Sequence, residues 1–287
     1  MKVLVTGAEG QLGRETKLTL TASDVEVVGI GRKDIDFSRP EMVAEGIASY
    51  KADWVLNCAA YTQVDKAEEE SDQAFLVNRD SVKAMAEGVR SYGGRLLHVS
   101  TDFIFDGKQS HPYLEKDTAN PCSVYGQSKW EGEQAVREVL PEAIILRTAW
   151  VYGVNGNNFV KTMMRLAAER EEIRVVDDQI GTPSWTADIA RTMYTLINND
   201  VAGTYHFTNE GVASWYDFAV AIVEEGIKLG LVNNSRTIIP IPTEAYPTPA
   251  IRPAYSVLSK TKIRKLLNSP IPHWRDSLVN MLKELKS

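Results

Sequence analysis

The segment KVLVTGAEGQLG at residues 2–13 constrains the fold more than any other stretch of the chain. An apolar run of strand length leads into Gly7, Gly10 and Gly13, and an amphipathic pattern predicts a helix over residues 11–20. In a strand–turn–helix unit the first glycine lets the chain turn tightly and the second lets backbone approach a pyrophosphate. The third lets helix and strand pack closely. The helix N-terminus then offers free N–H groups and partial positive charge to the phosphates. The spacing here is G-x-x-G-x-x-G rather than G-x-G-x-x-G, and the plain alternative is a tight turn that holds no ligand.

The rest of the first half repeats the theme. Short apolar runs at residues 25–30, 53–58, 95–100 and 143–148 read as strands. Helical patterns at 40–50, 73–91 and 124–139 separate them, with Ser38 the expected cap of the first of these. Strands alternating with helices make βαβ units and a parallel sheet, whose strands are buried on both faces and read as continuous apolar runs such as VEVVGI and AIILR. The expected fold is a Rossmann-type, doubly wound α/β sheet with a smaller, mostly C-terminal α/β lobe. The nucleotide-binding part is assigned to residues 1–150 and the substrate part mainly to 151–287, with a soft boundary that permits interleaving. Further helices are expected at 159–168, 186–198, 215–228, 260–267 and 273–286. Prolines 240, 242, 247, 249 and 253 favour extended or turn conformations between the later helices.

Composition excludes several classes. A net charge of -6 argues against non-specific nucleic-acid binding, which needs clustered Lys and Arg. No apolar run approaches the roughly 18 residues of a membrane helix, and the N-terminus has no secretory pattern. Two cysteines and four histidines give no zinc spacing, so no metal is expected and a reducing, cytoplasmic setting is the default.

The second strand addresses cofactor choice. In NAD-binding units an acid at its end commonly meets the ribose 2′-hydroxyl. Here the strand runs into Gly31-Arg32-Lys33, and Arg32 is suited to a 2′-phosphate, which favours NADPH while leaving NADH possible. A solvated basic pair is the alternative. Asp36 follows shortly after and can face the adenosine.

Tyr125 and Lys129 form a Y-x-x-x-K pair within a predicted helix, where i and i+4 share a face. A phenol near pKa ~10 is a poor acid–base group at neutrality, and an adjacent ammonium is expected to lower that value. Thr101 lies at the carboxyl end of a predicted strand, the edge where open α/β sheets bind ligands.

With the glycine loop, Asn57-Cys58-Ala59-Ala60, Ser100-Thr101-Asp102 and Tyr125…Lys129 in place, the chain resembles the extended short-chain dehydrogenase/reductases. The stretches NCAAYTQVDKAE, VSTDFIFDG, YGQSKWEGE, LRTAWVYG and DDQIGTPSW make it similar, more narrowly, to the dTDP-4-dehydrorhamnose reductases. The resemblance implies NADPH-dependent reduction of the C4 keto group of dTDP-4-dehydro-β-L-rhamnose, in dTDP-rhamnose and polysaccharide biosynthesis. It implies Thr101, Tyr125 and Lys129 as catalytic residues. Cofactor contacts implied are Gly10, Gln11, Leu12, Asp36, Phe37, Ala60, Tyr61 and Thr62, and sugar-side contacts are Val64, Asp102, Trp150 and Arg252, the last placed to meet a diphosphate. Core packing is the alternative for Trp150.

There are departures from the family pattern. Phe103 stands where Tyr is usual and Tyr255 where Asn is usual. Glu15 matches a position that bridges subunits through a metal in some members, but Ala187 occupies another, so a metal-bridged dimer is not expected. A monomer or homodimer acting on a dTDP-sugar, without nucleic acid or membrane, is the expectation. Two other readings remain at this point: a nucleotide-sugar epimerase or dehydratase of the same superfamily, and a non-catalytic NADP-binding regulatory subunit.

Overall fold

A computed structural model describes residues 1–23, 25–232 and 236–286. In chain order the elements run β1 Lys2–Thr6, α1 Gln11–Thr21, β2 Glu26–Ile30, α2 Pro40–Tyr50, β3 Trp54–Asn57, α3 Ser71–Phe75, α4 Ser81–Ser91, β4 Arg95–Thr101, α5 Val124–Val139 and β5 Ile144–Thr148. They continue β6 Val151–Tyr152, α6 Phe159–Glu169, β7 Glu172–Val176, β8 Ile180–Gly181, β9 Ser184–Trp185, α7 Thr186–Asn198, β10 Gly203–His206, β11 Ala213–Ser214, α8 Trp215–Lys228, β12 Thr237–Ile241 and α9 Trp274–Lys286.

Six strands form one parallel sheet in the order β10-β5-β4-β3-β1-β2. The chain runs from β1 outward to β2, then returns to place β3 on the other side of β1. That reversal is a topological switch point, where the carboxyl ends of strands splay and leave a crevice. Both faces of the sheet are covered. Val43 and Ile47 of α2, Met85 and Val89 of α4, and Val136 of α5 pack on one face against Leu4, Val55 and Ile145. Leu12 and Leu20 of α1 with Ile189, Met193 and Leu196 of α7 pack on the other against Val3, Leu56 and Leu146. Burial on both sides explains why these strands carry runs of consecutive apolar residues rather than alternate ones.

The later chain divides its service. α7 and β10 complete the sheet, with Tyr205 opposite Leu146. A second core gathers Tyr152, Val160, Phe218, Trp274 and Leu278, and β12 lies parallel to β7 beside it. Segments from the two halves of the chain thus interleave.

Several local expectations need correction. Ser38 does not cap α2: its hydroxyl donates to Asp36 Oδ1 at 2.7 Å, and the cap position is Arg39. The predicted helix over 260–267 is only a 3-10 turn at Ile263–Lys265. There Ile263 is buried, while Lys260 is drawn inward to donate to Thr208 Oγ1 and the Asn209 carbonyl, both at 3.2 Å. The helix expected over 73–91 starts at Ser71 and is interrupted by a π-turn at Leu76–Asp80. Asn78, within that turn, accepts from the Tyr61 N–H at 2.9 Å and donates to the Tyr61 carbonyl at 3.1 Å, which holds the β3 loop to the helix.

Candidate active site

The carboxyl ends of β1 to β5 open onto a cleft of about 1470 Å³. At its β1 end the turn follows from the glycines. Gly7 takes φ +62, and a side chain there would meet the Ala59 backbone at 2.8 Å. A Cβ on Gly13 would lie 2.1 Å from the Gly7 carbonyl, so Gly13 lets α1 close on the turn and is not itself a wall of the cleft. Gly10 is the N-cap of α1, with no side-chain cap and no acid in the first turn. The first helical N–H groups therefore face the cleft without a side chain claiming them, as a diphosphate requires. Gln11 and Leu12 line the same end.

At the end of β2, Arg32, Asp36 and Phe37 line the cleft, and Lys33 does not. The Ser38 hydroxyl and N–H both donate to Asp36 and hold its carboxyl below the usual range. Ala60, Tyr61, Thr62 and Val64 form the wall after β3.

The floor lies at the ends of β4 and β5. Thr101, Asp102, Tyr125 and Lys129 come together there. α5 is aimed by its N-cap, where the Ser123 hydroxyl accepts from Gly126 N–H at 3.1 Å, and by a buried ion pair in which Arg147 of β5 grips Glu133 at 2.9 and 2.8 Å. Tyr125 is nearly buried among Ala67, Ala74 and Phe103, the Phe103 ring meeting it edge to face at 5.5 Å. Burial pushes the phenol up to about 12, and the Thr101 hydroxyl beside it acts in the opposite direction. Lys129 is 2% exposed, and burial lowers its ammonium to about 8. Its Nζ donates to the Val99 carbonyl at 2.8 Å. This departs from the expectation of a phenol lowered by its neighbour. Removal from water and the nearby Asp102 carboxylate raise the phenol, while the Lys129 ammonium is spent on a backbone carbonyl. Asp102 is likewise raised by burial, to about 6, and accepts from Thr101 Oγ1 at 3.1 Å.

Trp150 lines the cleft and stacks on Trp215 with ring centroids 3.6 Å apart. Packing and cleft lining are therefore both true of it. Its φ of +47 is left-handed for a non-glycine residue, a strain of about 1–3 kcal/mol that sites tend to hold.

Arg252 is the one sugar-side candidate outside the lining. Its guanidinium is bound to the Asp65 carboxylate at 2.9 and 2.7 Å, so the expectation that it faces a diphosphate is not met in this structure.

Sequence reading missed other residues here. Ser100 and Thr148 are buried, line the cleft and hold hydroxyls without a protein partner, which suits a polar ligand. Asn158 donates to Gln11 Oε1 at 2.9 Å and ties the later chain to the glycine loop. The polar run NGNN that holds it reads, by itself, as any loop. Among the described residues no group of His, Cys, Asp and Glu is arranged to hold a metal, and no helix is long and apolar enough to cross a membrane.

A doubly wound sheet with an uncapped glycine-loop helix at its switch point and a Thr–Tyr–Lys set on the cleft floor defines a short-chain dehydrogenase/reductase of the extended type. The chain matches the RmlD substrate binding domain family over residues 1–287 and belongs to it. It is 42% identical to a dTDP-4-dehydrorhamnose reductase of Aggregatibacter actinomycetemcomitans, over 98% of each chain. Among solved structures it is similar to a dTDP-4-dehydrorhamnose reductase from Clostridium acetobutylicum, with TM-score 0.94, 41% identity and 100% of both chains covered. It is also similar to the enzyme of that name from Bacillus anthracis in complex with NADP, with TM-score 0.92, 36% identity and 99% of both chains covered.

Proposed function

We propose that the protein is an NADPH-dependent reductase that converts the C4 ketone of dTDP-4-dehydro-β-L-rhamnose to the alcohol of dTDP-β-L-rhamnose, within dTDP-rhamnose and polysaccharide biosynthesis. The observation that carries this reading is the convergence of Thr101, Tyr125 and Lys129 on the cleft that the glycine loop opens. Similarity over the full length to reductases of that name supports the substrate.

NADPH held in this cleft would supply the hydride for the ketone carbon. The uncapped start of α1 at Gly10 to Leu12 holds the diphosphate. Arg32 takes the 2′-phosphate, while Asp36 and Phe37 flank the adenosine. Ala60, Tyr61 and Thr62 wall the cofactor side. Thr101 turns its one hydroxyl hydrogen from Asp102 Oδ1 to the ketone oxygen. Tyr125, protonated throughout the neutral range because burial holds it near about 12, hands its proton to the developing alkoxide. Lys129, on the same face of α5 one turn on, would supply positive charge to the cleft floor and hold the nicotinamide ribose. Val64, Asp102 and Trp150 shape the sugar side, Trp150 presenting an aromatic surface to the pyranose. The reading carries with it a cytoplasmic protein, monomeric or homodimeric, acting on a dissolved dTDP-sugar.

The test is NADPH consumption, followed by its absorbance, with dTDP-4-dehydro-L-rhamnose made in situ by the upstream enzymes. Appearance of dTDP-L-rhamnose in step with NADPH loss is expected. NADPH that binds but is not consumed would overturn the reading and favour another keto-sugar or a regulatory subunit.

A further inference from the structure

His98 sits in the middle of β4, with no exposure to solvent, in a strand otherwise built to pack. Its surroundings fix where its proton lies. The Ala59 backbone N–H, which can only donate, gives its hydrogen to Asn57 Oδ1 at 3.1 Å. The Thr6 hydroxyl donates to the same oxygen at 2.6 Å. The Asn57 amide orientation is thereby set, and its Nδ2, again only a donor, faces His98 Nδ1 at 2.9 Å. Nδ1 must therefore present its lone pair. Burial holds the ring well below its ordinary pKa and keeps it neutral. A neutral ring with a bare Nδ1 carries its hydrogen on Nε2.

Lys129 Nζ lies 3.4 Å from that Nε2 while donating to the Val99 carbonyl. An ammonium has three hydrogens and no lone pair, so it cannot accept from Nε2–H. Only the neutral amine can. We infer that His98 is a positioning residue for Lys129: its Nε2–H, fixed by Asn57, docks the lysine as an amine and turns it toward the cleft when it carries a proton. The inference rests on the reductase reading for its catalytic meaning, but not for the tautomer. Other charges around Lys129 do not offset this. Glu133, one turn along α5, is committed to Arg147 and Arg137. Cys58, after β3, is held as a thiol by burial, which pushes it up to about 12. Tyr125, one turn back on α5, stays protonated for the same reason.

In the reaction this arrangement distinguishes the two protonation states of Lys129. Charged, it is turned from the Nε2–H toward the cleft that it lines. Once it has passed a proton to the Tyr125 phenolate left by reduction, the amine is held by His98 until solvent reprotonates it. One proton leaves nitrogen and one arrives on the phenolate oxygen, so the step balances without a further reactant.

The first experiment is nitrogen-15 NMR of the imidazole side chains in the protein without substrate, with His98→Gln used to assign the resonance. The Nε2–H tautomer is expected. An Nδ1–H tautomer or an imidazolium would overturn the inference, whatever the substrate proves to be. The second is the pH profile of turnover. His98→Phe is expected to lower kcat about tenfold, the scale of one misplaced hydrogen bond. It should move the basic limb to higher pH, because the amine has lost its partner. His98→Gln, which keeps a donor, should recover most of the loss. An unmoved limb in folded His98→Phe would mean that His98 only packs. Should that variant fail to fold, the wild-type tautomer and the His98→Gln profile decide the matter.

Discussion

Arg252 and Asp65 face each other through two parallel hydrogen bonds, Nη1 to Oδ1 at 2.9 Å and Nη2 to Oδ2 at 2.7 Å. The Ala250 N–H donates to the same carboxylate at 3.3 Å, so Asp65 fastens the proline-rich segment to the loop after β3. The arginine holds the Asp65 carboxyl below its ordinary range.

The two side chains are expected to act as one unit. Asp65→Ala and Arg252→Ala are expected to raise KM for the nucleotide sugar by similar factors, and the double variant by little more than either. Both ends of the pair are partly exposed, so their coupling in stability should be only about 0.2–1 kcal/mol. A double-mutant cycle on KM checks this. Much greater damage from Arg252→Ala than from Asp65→Ala would mean that the guanidinium leaves its partner for the diphosphate.

Tyr125→Phe removes one oxygen from a side chain whose ring packs against Phe103, Ala67 and Ala74. The fold and NADPH binding should survive, since the ring contacts remain. Turnover should fall at least ~100-fold with the loss of the general acid. Fluorescence titration with NADPH and steady-state rates separate the two effects. Near-normal turnover would remove Tyr125 from the mechanism.

These sites differ in how legible they were. Pro40–Tyr50, Val124–Val139, Thr186–Asn198 and Trp215–Lys228 have the bounds that apolar period and flanking residues suggest. Local chemistry sets such elements. β10 and β12 had no comparable signal. Four residues, GTYH, become a strand because β5 stands beside them, and TIIPI pairs with β7 despite its proline. The glycine loop and Tyr125 with Lys129 were visible because each motif lies within one local element. The partner of Arg252 was not legible because Asp65 lies far away in sequence, and charge alone does not name a partner. His98 was invisible for a related reason: one polar residue in LLHVS says nothing of Asn57 and Lys129 on either side.

Arg32 stands at the end of β2 on the cleft wall, where the 2′ position of an adenosine ribose is expected. Arg32→Ala should weaken NADPH about 10–100-fold, equivalent to losing one or two charge-assisted hydrogen bonds, and leave NADH nearly unchanged. Dissociation constants for both cofactors decide it. Equal weakening of the two would mean that Arg32 does not read the 2′-phosphate.

Lys129 makes a prediction about stability as well as rate. Burial lowers its pKa from 10.5 to about 8, so the folded protein holds this proton less firmly than the unfolded chain does. Below about 8 both states carry the charge and the folded state bears the whole penalty, roughly 3 kcal/mol. Between about 8 and 10.5 the unfolded chain binds more protons, so this group's contribution to stability rises with pH and the penalty disappears. Lys129→Met removes the charge and also the bond to the Val99 carbonyl, which is worth about 1 kcal/mol. The variant should therefore be more stable than the wild type near neutrality, by roughly 2 kcal/mol, and lose that advantage as pH rises toward 10.5. It should also lose most of its turnover, the exchange of stability for activity expected where a buried charge serves a site. Denaturant unfolding of both proteins at neutral and alkaline pH measures the gap. A gap that does not change with pH would mean that the Lys129 proton is held equally by both states, and that burial does not tune it.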